Sequence, residues 1–328
     1  MASFLLDIEP HKVSRDLSGY IIMVYGEPKI GKSTFGASMP GNLTLAFERG
    51  YNAIPGIRAI DITSWGEFKK VARELKKPEV KEAYKVLTID TVDISADLCQ
   101  KYICSQLGID NMGDGGWANN SWSKYKKEFE ETFRSLAQLG YAILFISHDK
   151  EKTIKPQNSE EYQQIGASMQ SSALAIIENM CDIIAYAHSK KKPDGSYERV
   201  LTLRSPDNSV RCGTRFKYME NEVPFDYQSL TDALNRAIDK EAQANNNQYV
   251  TDERNVLTEK PEYDYDALMD ELQDMISNLM QKDQSNAMKI TSTIDKYLGK
   301  GKKVIDTTPE QAEFIALIID ELKDIFNL

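Results

Sequence analysis

The segment Gly26-Glu27-Pro28-Lys29-Ile30-Gly31-Lys32-Ser33-Thr34 constrains the fold of this chain more than any other, because it fits G-x-x-x-x-G-K-[ST] at every position. An apolar run of strand length, Tyr20–Tyr25 (YIIMVY), precedes it, and a helix-compatible segment begins at Lys32. Glycines in such a loop let the backbone curl, so that successive N–H groups point inward at phosphate oxygens. The Lys32 ammonium would then reach the β- and γ-phosphates and the Ser33 hydroxyl would ligate Mg²⁺. The positive end of the following helix would face the anion. A chance loop match is the competing reading, and the flanking strand and helix argue against it. The expected ligand of residues 26–34 is ATP with Mg²⁺.

The rest of the chain supplies a matching frame. Apolar runs of strand length alternate with helix-periodic segments. After Tyr20–Tyr25 come LTLAF at Leu43, VLTI at Val86 and YAILFIS at Tyr141, with helices expected between them. Two further runs, Asp182–Ala187 and Arg199–Arg204, flank Pro193-Asp194-Gly195 and read as a hairpin. Such alternation predicts an α/β fold, a mostly parallel sheet between helices. Residues 108–122 and the polar stretch 149–168 read as loops. Asp90 closes VLTI. A carboxylate at that strand end suits the Walker B role of holding Mg²⁺ through water; capping of the next helix is the plainer alternative.

Residues 1–241 are expected to form the core, 242–263 (with Asn245-Asn246-Asn247) a flexible linker, and 264–328 a small helical module. In the last, Leu268, Leu272, Ile276 and Leu279 share one helix face, and Thr308-Pro309 reads as a helix start. The chain has 40 Lys and Arg against 50 Asp and Glu, a net charge of −10. That excludes a uniformly basic nucleic-acid coat. The last 92 residues, 237–328, hold 10 basic and 19 acidic side chains, so the acidity is local and the remainder is balanced. A basic groove on the balanced part stays open. No apolar run is long enough to span a bilayer, and the start lacks the pattern of a signal peptide. Four scattered cysteines and three histidines, with no C-x-x-C, argue against disulfides or zinc and for a reducing, cytoplasmic setting.

In YGEPKIGKST, the FERG after the second strand, LTID, FISH and the string RCGTRFK, residues 18–240 resemble the RecA-like branch of P-loop ATPases. The order of these motifs is most similar to the small phage-encoded ATPases of single-strand annealing and recombination, the Sak-type group. The resemblance implies a RecA-like P-loop core and several roles. Glu48 would be the base that activates the attacking water, with Asp93 a weaker competitor. His148, at a strand end, would sense the γ-phosphate. The segment 149–166 would be a mobile loop on single-stranded DNA, with Lys150, Lys152 and Lys155 near phosphates. Arg215 and Lys217 would enter a neighbouring subunit's ATP site, which implies a homo-oligomer with ATP at subunit interfaces. Trp117 and Trp122 could stack on unpaired bases. Each has a bland alternative: a polar strand end, a structural histidine, solvated lysines, folded-back indoles or a basic strand edge. Lys190-Lys191-Lys192 reads as a solvated tip.

The implied function is an ATPase, DNA-stimulated, that promotes annealing or strand exchange on single-stranded DNA. A replicative hexameric helicase or helicase loader is one alternative. A nucleotide-gated scaffold, recruiting partners such as a single-strand-binding protein or replisome component through the acidic module, is another.

Overall fold

Strands and helices alternate along the chain as the apolar periodicity requires. The computed structural model describes residues 8–114, 120–155, 160–246, 249–255, 263–326 and 328. It divides into two compact units, Met1–Glu259 and Lys260–Leu328.

In the first unit the strands are β1 (Val13–Ser14), β2 (Ile22–Gly26), β3 (Asn42–Ala46), β4 (Ala59–Asp61), β5 (Val86–Asp90) and β6 (Ala142–Ile154). They continue with β7 (Tyr162–Ala167), β8 (Ile183–Lys191), β9 (Tyr197–Thr202), β10 (Gly213–Thr214), β11 (Glu222–Pro224) and β12 (Val250–Thr251). The helices are α1 (Lys32–Ser38), α2 (Trp65–Glu74), α3 (Pro78–Ala83), α4 (Val92–Leu107), α5 (Ser121–Gln138), α6 (Ser171–Met180) and α7 (Tyr227–Ala244). The main sheet runs in the order β11-β9-β8-β2-β6-β5-β3-β4. All neighbours from β8 to β4 are parallel, while β9 and β11 add an antiparallel edge. The expected α/β class with a mostly parallel sheet is the fold observed.

The central strands are apolar throughout because both of their faces are buried. In β2, Met23 and Tyr25 join a core with Trp65, Phe68, Phe129 and Phe133 from α2 and α5. Ile22 and Val24 point the other way, into a core with Phe35 of α1 and Leu230, Leu234 and Ile238 of α7. Each such side chain contributes about 1.5–3 kcal/mol on burial. Trp65 is fully buried, and its indole Nε1 donates to Glu128 Oε1 at 2.8 Å, so its one polar atom is satisfied.

Two sequence expectations change here. The strand expected over YAILFIS continues through His148 and Asp149 to Ile154. It pairs antiparallel with β7, so most of the expected loop 149–168 is a hairpin. The hairpin lacks an apolar face to announce it, and Glu151, Thr153 and Gln163 are exposed. Its backbone ladder and side-chain bonds between Thr153 and Gln163 hold it instead. Second, the described part of the expected linker 242–263 is packed against the core. Ala242 is buried in α7, β12 pairs parallel with β1, and Arg15 bridges Asp239 and Asp252. Arg254 donates to the carbonyls of Ser18, Lys85 and Gly140 at 2.7–2.8 Å, gathering three loops. Polar composition read as a linker because the anchors are hydrogen bonds rather than apolar side chains; residues 247–248 and 256–262 lie outside the described residues. Pro78 opens α3 at its first turn, where its missing N–H costs nothing. The Asp182 and Arg199 runs form the expected hairpin, β8 with β9, and Lys190 and Lys192 near its tip pair with Glu222 and Glu198.

The second unit holds α8 (Tyr265–Lys282), α9 (Ala287–Leu298) and α10 (Ala312–Phe326). Leu272, Leu279, Ile290, Ile315, Ile318, Ile319 and Leu322 make its core, and Leu268 and Ile276 pack against it. Thr308 caps the Pro309–Gln311 turn that leads into α10, and its own N–H donates to Gln311 Oε1 at 3.2 Å in return.

Candidate active site

β2 ends at Gly26 and α1 starts at Lys32, so the loop between them lies at the carboxyl end of the parallel sheet, the usual place for a ligand in such folds. Gly31 takes φ +113°, and Lys29 stands in the left-handed region at φ +63°, which non-glycine residues seldom adopt outside functional turns. The Lys32 side chain folds back across the loop and is 7% exposed. Its Nζ donates to the carbonyls of Gly26 at 2.6 Å and Glu27 at 2.8 Å. Burial pushes its pKa down, while the carboxylates of Asp149, Asp90, Asp93 and Glu48 pull the other way.

Strand order brings the other groups to the loop. β6 lies between β2 and β5, and β3 lies beyond β5, so Gly26 stands opposite His148, and Asp90 opposite Ile146 and Ala46, at the carboxyl end of the sheet. Ser33 Oγ donates to Asp90 Oδ2 at 2.6 Å. Asp90 is buried, and that burial raises its pKa against the opposing pull of the Ser33 hydroxyl. The backbone N–H groups of Phe47 and Glu48 donate to the Asp90 carbonyl at 2.7 and 3.0 Å, which folds the end of β3 over the end of β5. Glu48 Oε2 then stands 3.3 Å from His148 Nε2. Among the described residues no group of three or more His, Cys, Asp and Glu could hold a metal ion. The Ser33–Asp90 pair fits Mg²⁺ of the kind held by one or two protein oxygens together with phosphates and water.

Lys32, Ser33, Asp90, Glu48 and His148 are thus brought together, and the rest of the expected set is not. Asp182 precedes β8, and Ile183 of that strand pairs with Ile22 at the far end of β2 from Gly26. Arg215 is there, with Nη1 3.2 Å from Asp182 Oδ1 and Nη2 donating to the Asn179 carbonyl. Lys217 lies over the Tyr218 ring. Neither reaches the loop of its own chain. Lys150 and Lys155 are exposed on the β6–β7 hairpin, Lys152 is half-buried, and Lys155 pairs with Glu161. Trp122, 40% exposed, packs edge-on to Tyr125. Trp117 lies outside the described residues.

Two neighbours of the loop, Asp149 and Arg199, escaped the sequence reading. Asp149 stands near Lys32 and, at 3.5 Å, accepts from the Tyr186 hydroxyl. Arg199 of β9 donates from Nη1 to the Ile30 carbonyl at 3.2 Å, bracing the loop from outside. Asp93, weighed as a second base, has its carboxylate committed to Ser147 Oγ, Ser168 Oγ and the His148 N–H. Adjacency to His148 could have flagged Asp149; no local pattern marks Arg199.

Residues 18–215 match the family model described as AAA domain. The chain belongs to the AAA domain family. The mostly parallel sheet and the phosphate loop agree with that membership, and the helical C-terminal unit lies outside the matched residues. A SPbeta prophage-derived uncharacterized protein of Bacillus subtilis (strain 168), YorG, is 28% identical over 333 residues, which cover 99% of each chain. Among solved structures, the KaiC-like protein PH0186 of Pyrococcus horikoshii OT3 is 14% identical. It aligns with a TM-score of 0.34 over 64% of this chain and 86% of its own. No helix among the described residues is long and apolar enough to cross a membrane.

Proposed function

We propose that the protein hydrolyses ATP with Mg²⁺ and uses the cycle to act on single-stranded DNA in annealing or strand exchange. The observation that carries the ATPase part is the meeting of Lys32, Ser33 and Asp90 with the Glu48–His148 pair at one sheet edge. Lys32 and the loop N–H groups bind the phosphates, and Ser33 and Asp90 hold the metal, which offsets phosphate charge when bound. Glu48 is placed to orient and deprotonate a water, and His148, bonded to it, shares its response to the γ-phosphate.

The DNA part is supported by chain continuity. β6 runs from His148 directly into the lysine-bearing hairpin, so a change at the phosphate end has a short rigid path to Lys150 and Lys152. The whole-length similarity to a prophage-derived protein supports a phage origin, while the Sak-type reading rests on the order of the sequence motifs. Arg215 and Lys217, remote from their own loop, suit a role in a neighbour's site within a homo-oligomer. The acidic second unit is read as the surface for a single-strand-binding protein or replisome partner. A helicase, or a scaffold that turns over slowly, remains the competing reading of the same core.

The test is steady-state ATP hydrolysis without nucleic acid, with single-stranded DNA and with duplex DNA, with Lys32→Ala as control. The expected result is a rate stimulated by single strands and abolished in the variant. A rate indifferent to DNA sinks the recombination reading and favours the scaffold, while unwinding of forked duplexes favours the helicase.

A further inference from the structure

α4 begins at Val92, and Asp93 in its first turn points back over the end of β6. Its Oδ1 accepts from the hydroxyls of Ser147, at 3.0 Å, and Ser168, and its Oδ2 accepts from the His148 N–H at 3.3 Å. Ser147 is fully buried, and Ser168 immediately follows β7. The Ser168 N–H in turn donates to the His148 carbonyl at 2.9 Å. One carboxylate therefore holds both strands of the hairpin where they leave the sheet, on the helix that directly follows Asp90. It also fixes the backbone that carries His148 opposite Glu48.

We propose that Asp93 is a positioning residue that clamps the base of the β6–β7 hairpin and sets His148, so that nucleotide state and hairpin geometry move together. The coupling half rests on the nucleotide-site reading above, while the clamp half rests on hydrogen bonds alone. A base for water would need a carboxylate oxygen free of such commitments, and that separates Asp93 from Glu48. Hydrogen bonds to an ionised carboxylate are the stronger kind, and three converging on one side chain stiffen the junction.

The experiment uses the full chain with Asp93→Asn, Asp93→Ala and Ser168→Ala, each checked for intact unfolding behaviour. Hydrogen exchange of residues 147–154 and 162–168 is followed with and without ATP and Mg²⁺. The three imidazoles of the chain are titrated by NMR, with His148→Gln assigning one of them. Expected in Asp93→Ala is exchange at the hairpin base faster by about ten-fold or more, from the loss of charge-assisted bonds. The His148 titration should shift, and the ATP-dependent change in hairpin exchange should vanish. The nucleotide Kd should move by less than about three-fold while kcat falls, as for a residue that acts after binding. Ser168→Ala should loosen the base in the same direction but less. Exchange and imidazole titration identical to wild type would overturn the clamp. A fall in kcat with hairpin and His148 unchanged would overturn it too, by showing that Asp93 acts on the reacting atoms. A wild-type chain that fails to bind ATP would refute the nucleotide reading and the coupling, and the exchange and titration arms would still decide the clamp.

Discussion

Gly26→Ala offers a quantitative test of how the loop is built. A Cβ on Gly26 would lie 2.0 Å from the Ala187 carbonyl oxygen and 2.9 Å from its carbon. Ordinary contacts begin near 3.4 Å and real Cβ contacts are essentially never below 3.0 Å, so at least about 1 Å of separation must be found between two backbones. β2 cannot simply retreat, because β6 is bonded to its other side with Gly26 opposite His148. Overpacking of this kind costs about 1–3 kcal/mol, and holding alanine at a φ of +154° adds a comparable amount. A loss of about 2–6 kcal/mol is a large share of the 5–15 kcal/mol that stabilises an ordinary domain. The same substitution at Gly66, in α2 with nothing within 4 Å, should have the opposite sign and stabilise by about 0.5–1 kcal/mol. Urea unfolding followed by tryptophan fluorescence reads the right unit, since Trp65, Trp117 and Trp122 all belong to residues 1–259. A loss below about 1 kcal/mol in Gly26→Ala would refute the reasoning, because it would mean that the β2–β8 contact yields without strain.

Asp90→Asn should stabilise the fold at neutral pH while abolishing turnover, since burial penalises the ionised form and raises its pKa. A carboxyl with a raised pKa contributes stability that is present at acid pH and lost as pH rises through that value. The advantage of the variant should therefore grow with pH from the ordinary aspartate range upward; urea midpoints against pH check this, and a pH-independent difference would contradict it. Arg254→Ala should cost about 2–3 kcal/mol, from three carbonyls losing a charged donor, and should raise hydrogen exchange at residues 13–14 and 250–251 first. In mixtures, Arg215→Ala chains should restore hydrolysis to Lys32→Ala chains or be restored by them, because the two defects would meet in one shared site per pair; no recovery above the sum of the separate rates would argue against action in trans.

The loop was legible because its demands are local. Gly26, Gly31, Lys32 and Ser33 work through spacing and backbone freedom, and the strand before them and the helix after them are written in apolar periodicity. The same holds for Asp90, which closes a short apolar run, and for the Leu272–Leu279 face of the second unit. The β6–β7 hairpin and the anchored 249–255 segment were misread for one reason. Both are held by backbone pairing and by side chains such as Arg254 and Thr153 whose partners are far away in sequence or carry no apolar signature.

By itself the sequence determined an α/β chain with a phosphate loop and a separate acidic helical unit, since binary patterning and turn chemistry act over a few residues. Only the tertiary structure decided which strand ends share an edge. It placed His148 against Glu48, turned Asp93 from a spare base into the junction of two strands, braced Ile30 with Arg199, and put Arg215 at the far end of the sheet. Those relations depend on strand order, and strand order is chosen by how helices cover the two faces of the sheet, a property of the whole unit rather than of any segment.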